Sequence, residues 1–153
     1  MTEPEILELP AREMDALAAE SLFSFAERVR ARYMKNEGDF RILFKVAPER
    51  GAKVVYNRLY TDEGEKVYCG RPYIVYSCER YTTNISAAWQ IVERMQELGY
   101  LLDLRIGPKE STAKFFTLDH ECAMVVLSEF ARSHEDPKLA VILAALDAMG
   151  VIE

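Results

Sequence analysis

Between Tyr81 and Gly99 apolar residues return at steps of three and four. Ile85, Ala88, Trp89, Val92 and Met95 share one stripe while Glu93, Arg94, Gln96 and Glu97 fall mainly off it, which predicts an amphipathic helix. Thr83 or Asn84 can cap its first turn by accepting backbone N–H groups, and Gly99 can take the left-handed position that ends it. The stripe assigns Trp89, the single tryptophan of the chain, and Met95 to a core facing a sheet.

After this helix the period shortens to two. Leu102, Leu104 and Ile106 alternate with Asp103 and Arg105, predicting a strand with one buried face. Gly107 to Ser111 reads as a turn, Ala113 to Leu118 as a second strand and Asp119 to Glu121 as a tight connection. Ala123 to Ala131 fits a third strand; a helix competes there, and the β-branched Val125 and Val126 favour the strand. Asp136 as N-cap, Pro137 at the first helical position and the set Leu139, Ala140, Ile142, Leu143, Leu146 and Met149 predict a helix that Gly150 stops. Residues 81–153 therefore read α-β-β-β-α, an α+β fold with an antiparallel three-stranded sheet in a helix/sheet/helix sandwich.

Ahead of this core, Met14, Leu17, Ala18, Leu22, Phe25 and Val29 keep a helical period after Pro10. Acids (Glu13, Asp15) come early and Arg28, Arg30, Arg32 and Lys35 late, so the helix is predicted to run on until Asn36, Glu37 and Gly38 end it. The basic cluster suits a phosphate, or more simply the solvated end of a helix. Phe40 to Val46 reads as a strand and Val54 to Tyr60 as its hairpin partner. Thr61 to Gly64 is turn chemistry, and Val67 to Tyr76 is a Tyr-rich stretch broken by Gly70 and Pro72. One domain over 1–153 is expected, made of an N-terminal helix (1–38), a β and loop extension (39–80) and the core (81–153).

Composition narrows the classes. A chain of 153 residues, half of them hydrophobic, can bury a core without staples. Its longest apolar runs, such as Leu139 to Leu146, fall short of the ~20 residues a bilayer span needs. The acidic start lacks the basic head and apolar run of a secretory signal, so a cytoplasmic location is expected. Cys69, Cys78 and Cys122 are odd in number and show no CxxC spacing, which suggests reduced thiols. A net charge of −6 argues against a phosphate-coating surface and demotes nucleic acid as a partner.

Three stretches carry candidate chemistry. Tyr56, Tyr60, Tyr68, Tyr73, Tyr76 and Tyr81 are interleaved with Arg58, Arg71 and Arg80, a composition that serves a stacking site for a nucleotide and equally a half-exposed β-surface or subunit interface. At the entrance to the central helix, free N–H groups, the hydroxyls of Thr82 and Thr83, Asn84 and the charge of Arg80 can hold a phosphate or carboxylate; the same residues are a sufficient cap. Asp119, His120, Glu121 and Cys122, with His134, are the best metal candidates, but neighbours along a strand face opposite ways and a polar hairpin tip explains them better. A Cys122 nucleophile assisted by His120 or His134 has no visible orienting partner. No catalytic residue, metal or cofactor is assigned, and enzymatic activity is unsupported.

Three segments, Glu3 to Phe23, Tyr81 to Tyr100 and Asp136 to Met149, resemble the phage ABA sandwich domain of small phage and prophage proteins. The resemblance rests on Asp15 to Glu20, which enters a helix, on the Tyr81 to Trp89 run through Thr82, Thr83 and Asn84 into Ala87 and Ala88, and on Asp136 to Leu146. It is absent over Cys69 to Tyr76 and in the strand before His134. It implies a helix/sheet/helix sandwich, a phage origin, hence the host cytoplasm, and no established activity. Double-stranded RNA-binding domains share the α-β-β-β-α order, yet the last helix here opens on Glu135, Asp136, Pro137 and a lone Lys138 rather than on lysines that bridge phosphates.

The function expected is that of an accessory protein acting by protein binding or self-association through the Tyr-rich middle. The alternative is a binder of a small phosphorylated nucleotide or metabolite, of anti-defence type, using Arg71, Tyr73, Tyr76, Arg80, Thr82, Thr83 and Asn84. RNA-like binding ranks third.

Overall fold

A computed structural model of the protein describes residues 1–23, 27–31, 41–46 and 74–153. In chain order its elements are α1 (Glu3–Leu7), α2 (Ala11–Leu22), β1 (Glu27–Ala31), β2 (Arg41–Val46), β3 (Ile74–Ser77), α3 (Ile85–Glu97), β4 (Leu101–Ile106), β5 (Ser111–Leu118), β6 (Val126–His134) and α4 (Pro137–Ala148). They fall into two compact units, one of Met1–Phe23 with Arg80–Glu153 and one of Ser24–Glu79.

In the second unit β1, β2 and β3 form an antiparallel sheet in that order, with Val29 opposite Leu43 and Phe44 opposite Tyr76. The strand expected from Phe40 is β2. The helix expected to reach residue 38 instead ends at Leu22, where Phe23 turns extended, and the boundary moves with it. The reason is a conflict of periods: Arg28 to Ala31 alternates polar and apolar residues, and strand pairing with β2 wins over the three-and-four spacing of Leu22, Phe25 and Val29. The predicted hairpin partner at Val54 to Tyr60 and the turn at Thr61 to Gly64 lie outside the described residues.

The first unit has the α+β class and the α3-β4-β5-β6-α4 order that the sequence pattern predicts. β4 and β5 pair antiparallel with Leu102 opposite Phe115, and β5 and β6 with Phe115 opposite Phe130. Strand alternation then sorts the residues: Leu102, Leu104, Ile106, Ala113, Phe115, Phe130, Arg132 and His134 share one face, and Asp103, Arg105, Thr112, Lys114 and Glu129 the other. α4 lies across β5 and β6, α3 packs along α4 and meets β4, and α2 touches both helices. Ile6, Ile91, Met95, Phe115, Ile142, Leu143 and Leu146 are fully buried at the centre. α4 is buried all round from Ala140 to Leu146, the behaviour of a helix hydrophobic on every side, so Val141, Ala144 and Ala145 join the core beyond the predicted stripe.

Two expectations shift here. The third strand begins at Val126, not Ala123, because Asp119 and Val125 close a loop through Asp119 N–H to Val125 O at 2.9 Å and Val125 N–H to Cys122 O at 2.9 Å. Trp89 is 50% exposed and does not sit in the core, whereas Met95 is fully buried as expected. The apolar stripe of α3 is wider than the surface that α4 and β4 offer it, and Ile85 and Trp89 are left at its margin.

Candidate functional site

Sequence chemistry points to the entrance of α3. A turn forms there because Arg80 O accepts the N–H groups of Thr83 at 3.3 Å and Asn84 at 2.8 Å. Thr82 donates its N–H to Asp15 Oδ1 of α2 at 2.7 Å. Asn84 is the N-cap, its Oδ1 accepting from Ser86 N–H at 2.9 Å and Ala87 N–H at 3.4 Å. Each of these backbone donors therefore has a partner inside the chain, and a buried carboxylate stands behind the turn, so an anion would meet spent backbone donors and a like charge.

Of the candidate ligand residues, Arg80, Thr83 and Asn84 are exposed at this turn, and Thr82 is buried with its hydroxyl unpaired among the described residues. Tyr76 is placed on β3 by its register opposite Phe44. Arg71 and Tyr73 lie outside the described residues, as does most of the Tyr-rich middle.

One turn further along α3 the surface changes character. Ile85, Ala88, Trp89 and Val92 from α3, Leu104 and Ile106 from β4, and Pro137, Lys138 and Val141 from α4 line an apolar groove of about 50 Å³. Ile85 is 62% and Ile106 69% exposed at its mouth, beside the half-exposed Trp89. Its one charged lining residue, Lys138, is held by Asp136 at 2.9 Å. Burial pushes the Asp136 carboxyl up, but hydrogen bonds from the Lys138 side chain and N–H, with the charge of Lys138, outweigh it and leave the group below the usual aspartate value.

No known family, curated protein or solved structure matches this chain.

Elsewhere, Asp119 to Glu121 forms the predicted polar hairpin tip: Asp119 Oδ1 accepts the N–H groups of Glu121 at 2.7 Å and Cys122 at 3.3 Å, an Asx turn that spends this oxygen. His134 lies at the far end of β6, its Nδ1 accepting Asp136 N–H at 2.9 Å, so it does not join Cys122. Among the described residues no three potential metal ligands come together. Sequence reasoning missed the groove because Ile85 and Ile106 each complete an apolar repeat and read as core. The available signal was positional: Ile85 opens its helix and Ile106 closes its strand, where coverage by neighbours runs out.

Proposed function

We propose that this chain is a small phage or prophage accessory protein that acts by binding protein, either another chain or its own copy. The observation that carries this is the groove of the first unit, where Ile85, Trp89 and Ile106 are exposed together around an apolar lining. Singly exposed apolar residues are ordinary, but a contiguous cluster beside a groove is what protein interfaces use. The lining offers an anion only Lys138, already paired, so a phosphorylated ligand has little to hold it. The residues that carry the family resemblance serve as caps and core, Asn84 and Asp136 as N-caps and Ala87, Ala88 and Leu146 as buried packing.

Site-specific photo-cross-linking of the full chain in the expressing cell tests this. A photoreactive residue at Ile85 is expected to give a discrete protein adduct, and one at the exposed Glu93, off the apolar stripe, none. Absence of any protein adduct from position 85 would overturn the reading, and a melting point raised by nucleotides would favour the phosphorylated ligand in its place.

A further inference from the structure

The occupant of this surface can be named from the strand that borders it, an inference that rests on the protein-binding reading above. β4 is an edge strand of its sheet. Gly107 donates its N–H to Glu110 O at 3.0 Å, so Gly107 faces β5, and by alternation Arg105 and Asp103 do too. The backbone groups of Leu102, Leu104 and Ile106 therefore point to the free edge. Exposed edges are usually blunted by charge or proline. The opposite edge, β6, obeys this with Arg132 and His134 on its inner face, whereas β4 presents only Leu102, Leu104 and Ile106 there.

We propose that this edge pairs antiparallel with β4 of a second copy of this chain, about a twofold axis at Leu104, giving a continuous six-stranded sheet. The register follows from the residues. Leu104 faces Leu104 of the other copy and Leu102 faces its Ile106, and these are the residues whose N–H and C=O groups have no partner among the described residues, so each pair exchanges both main-chain bonds. On the other face Asp103 meets Arg105 of the second copy and Arg105 meets its Asp103. Within one copy Arg105 Nη2 already reaches Asp103 Oδ2 at 3.2 Å along the exposed face, so these two charges exchange partners across the axis; Glu129 lies 3.7 Å from Lys114, and Lys114 is opposite Asp103. The second copy thus extends a row of alternating sign, Glu129, Lys114, Asp103, Arg105, instead of interrupting it. Leu102 of the second copy arrives beside Ile106, covering the mouth of the groove.

Sedimentation of the full chain tests the pairing. The wild type should run as a dimer at micromolar concentration. D103R places arginines opposite one another and R105D places aspartates opposite one another, so each variant alone should dimerise about tenfold more weakly, two like-charge pairs being created per dimer. An equimolar mixture of the two should recover a heterodimer of wild-type affinity, because every cross-copy pair is then complementary while the charges within each chain stay mismatched. A monomeric wild type, single variants of unchanged affinity, or a mixture no tighter than its parts overturns the proposal. If the wild type is monomeric while position 85 still cross-links to a different protein, the dimer falls and the protein-binding reading stands; with neither, both fall.

Discussion

Asp15 and Thr82, 67 positions apart in the chain, meet at 2.7 Å, the carboxylate of α2 accepting the backbone N–H of the turn that leads into α3. Asp15 is fully buried, and its second oxygen lies 2.7 Å from Nη1 of Arg12, whose side chain is about one third exposed. A charge withdrawn from water in this way is tolerated because both oxygens are engaged. The contact ties together the two stretches of chain that build the first unit on either side of Ser24–Glu79.

Replacing Asp15 by alanine orphans the buried N–H of Thr82 and removes one partner of Arg12, and should cost about 2–3 kcal/mol. Asp15→Asn keeps an acceptor for Thr82 and loses only the charge, so about 1 kcal/mol is expected. Urea denaturation of the two variants gives the comparison directly; equal losses would mean that the Thr82 bond contributes nothing.

Two large aromatic side chains of the first unit, Phe115 and Trp89, should behave differently. Phe115 is fully buried between Leu102 and Phe130, and its truncation to alanine should cost about 3–5 kcal/mol. Trp89 is half in water, and Trp89→Ala should cost only about 1–2 kcal/mol, from the area it does bury. Denaturation at one fixed protein concentration, so that any association is held constant, checks the order.

This contrast marks what the sequence could reveal. The strands β4 and β5, both N-caps and the glycine stops of α3 and α4 were legible because each depends on local chemistry: alternation, an Asx side chain, a positive φ at Gly99 and Gly150. Where two periods fit the same residues, as at Arg28 to Ala31, strand pairing decided, and pairing is not local. The start of β6 was missed because a loop closed by Asp119 and Val125 needs the partner strand to define it. For the same reason periodicity identified the apolar stripe of α3 but not how much of it neighbours cover, which is what separates Trp89 from Met95 and a groove from a core. The entrance residues Thr82, Thr83 and Asn84 were recognised as cap chemistry, while the Asp15 contact that closes the entrance joins segments distant in sequence.

Asp136 gives the protein a pH-sensitive cap. Its folded pKa is depressed, so the stability it contributes is fully present above the unfolded value of about 3.9 and is lost as pH falls through the lower folded value. Asp136→Asn keeps an oxygen for the N–H of Lys138 but cannot titrate. Its melting point should trail the wild type by a constant amount above about pH 5, and the gap should narrow below about pH 4. A gap independent of pH down to acid unfolding would show that the charge of Asp136 is not coupled to folding.

The α3 entrance separates a cap from an anion site. Asn84 Oδ1 serves Ser86 and Ala87, so Asn84→Ala should cost about 1 kcal/mol, and Asn84→Asp, which keeps the acceptor and adds a negative charge at a helix N-terminus, should cost little or stabilise. An anion site predicts the opposite order under ligand: millimolar phosphate would raise the wild-type melting point, and Asn84→Asp would abolish that rise by repelling the phosphate. With Thr82 bound to Asp15 and Thr83 and Asn84 bound to Arg80 O, the expected result is no phosphate-dependent rise beyond that of a chloride control at equal ionic strength. A rise that phosphate gives and chloride does not would mean that the turn from Arg80 to Asn84 opens to admit a ligand, and the protein-binding groove would then have a rival one helical turn away.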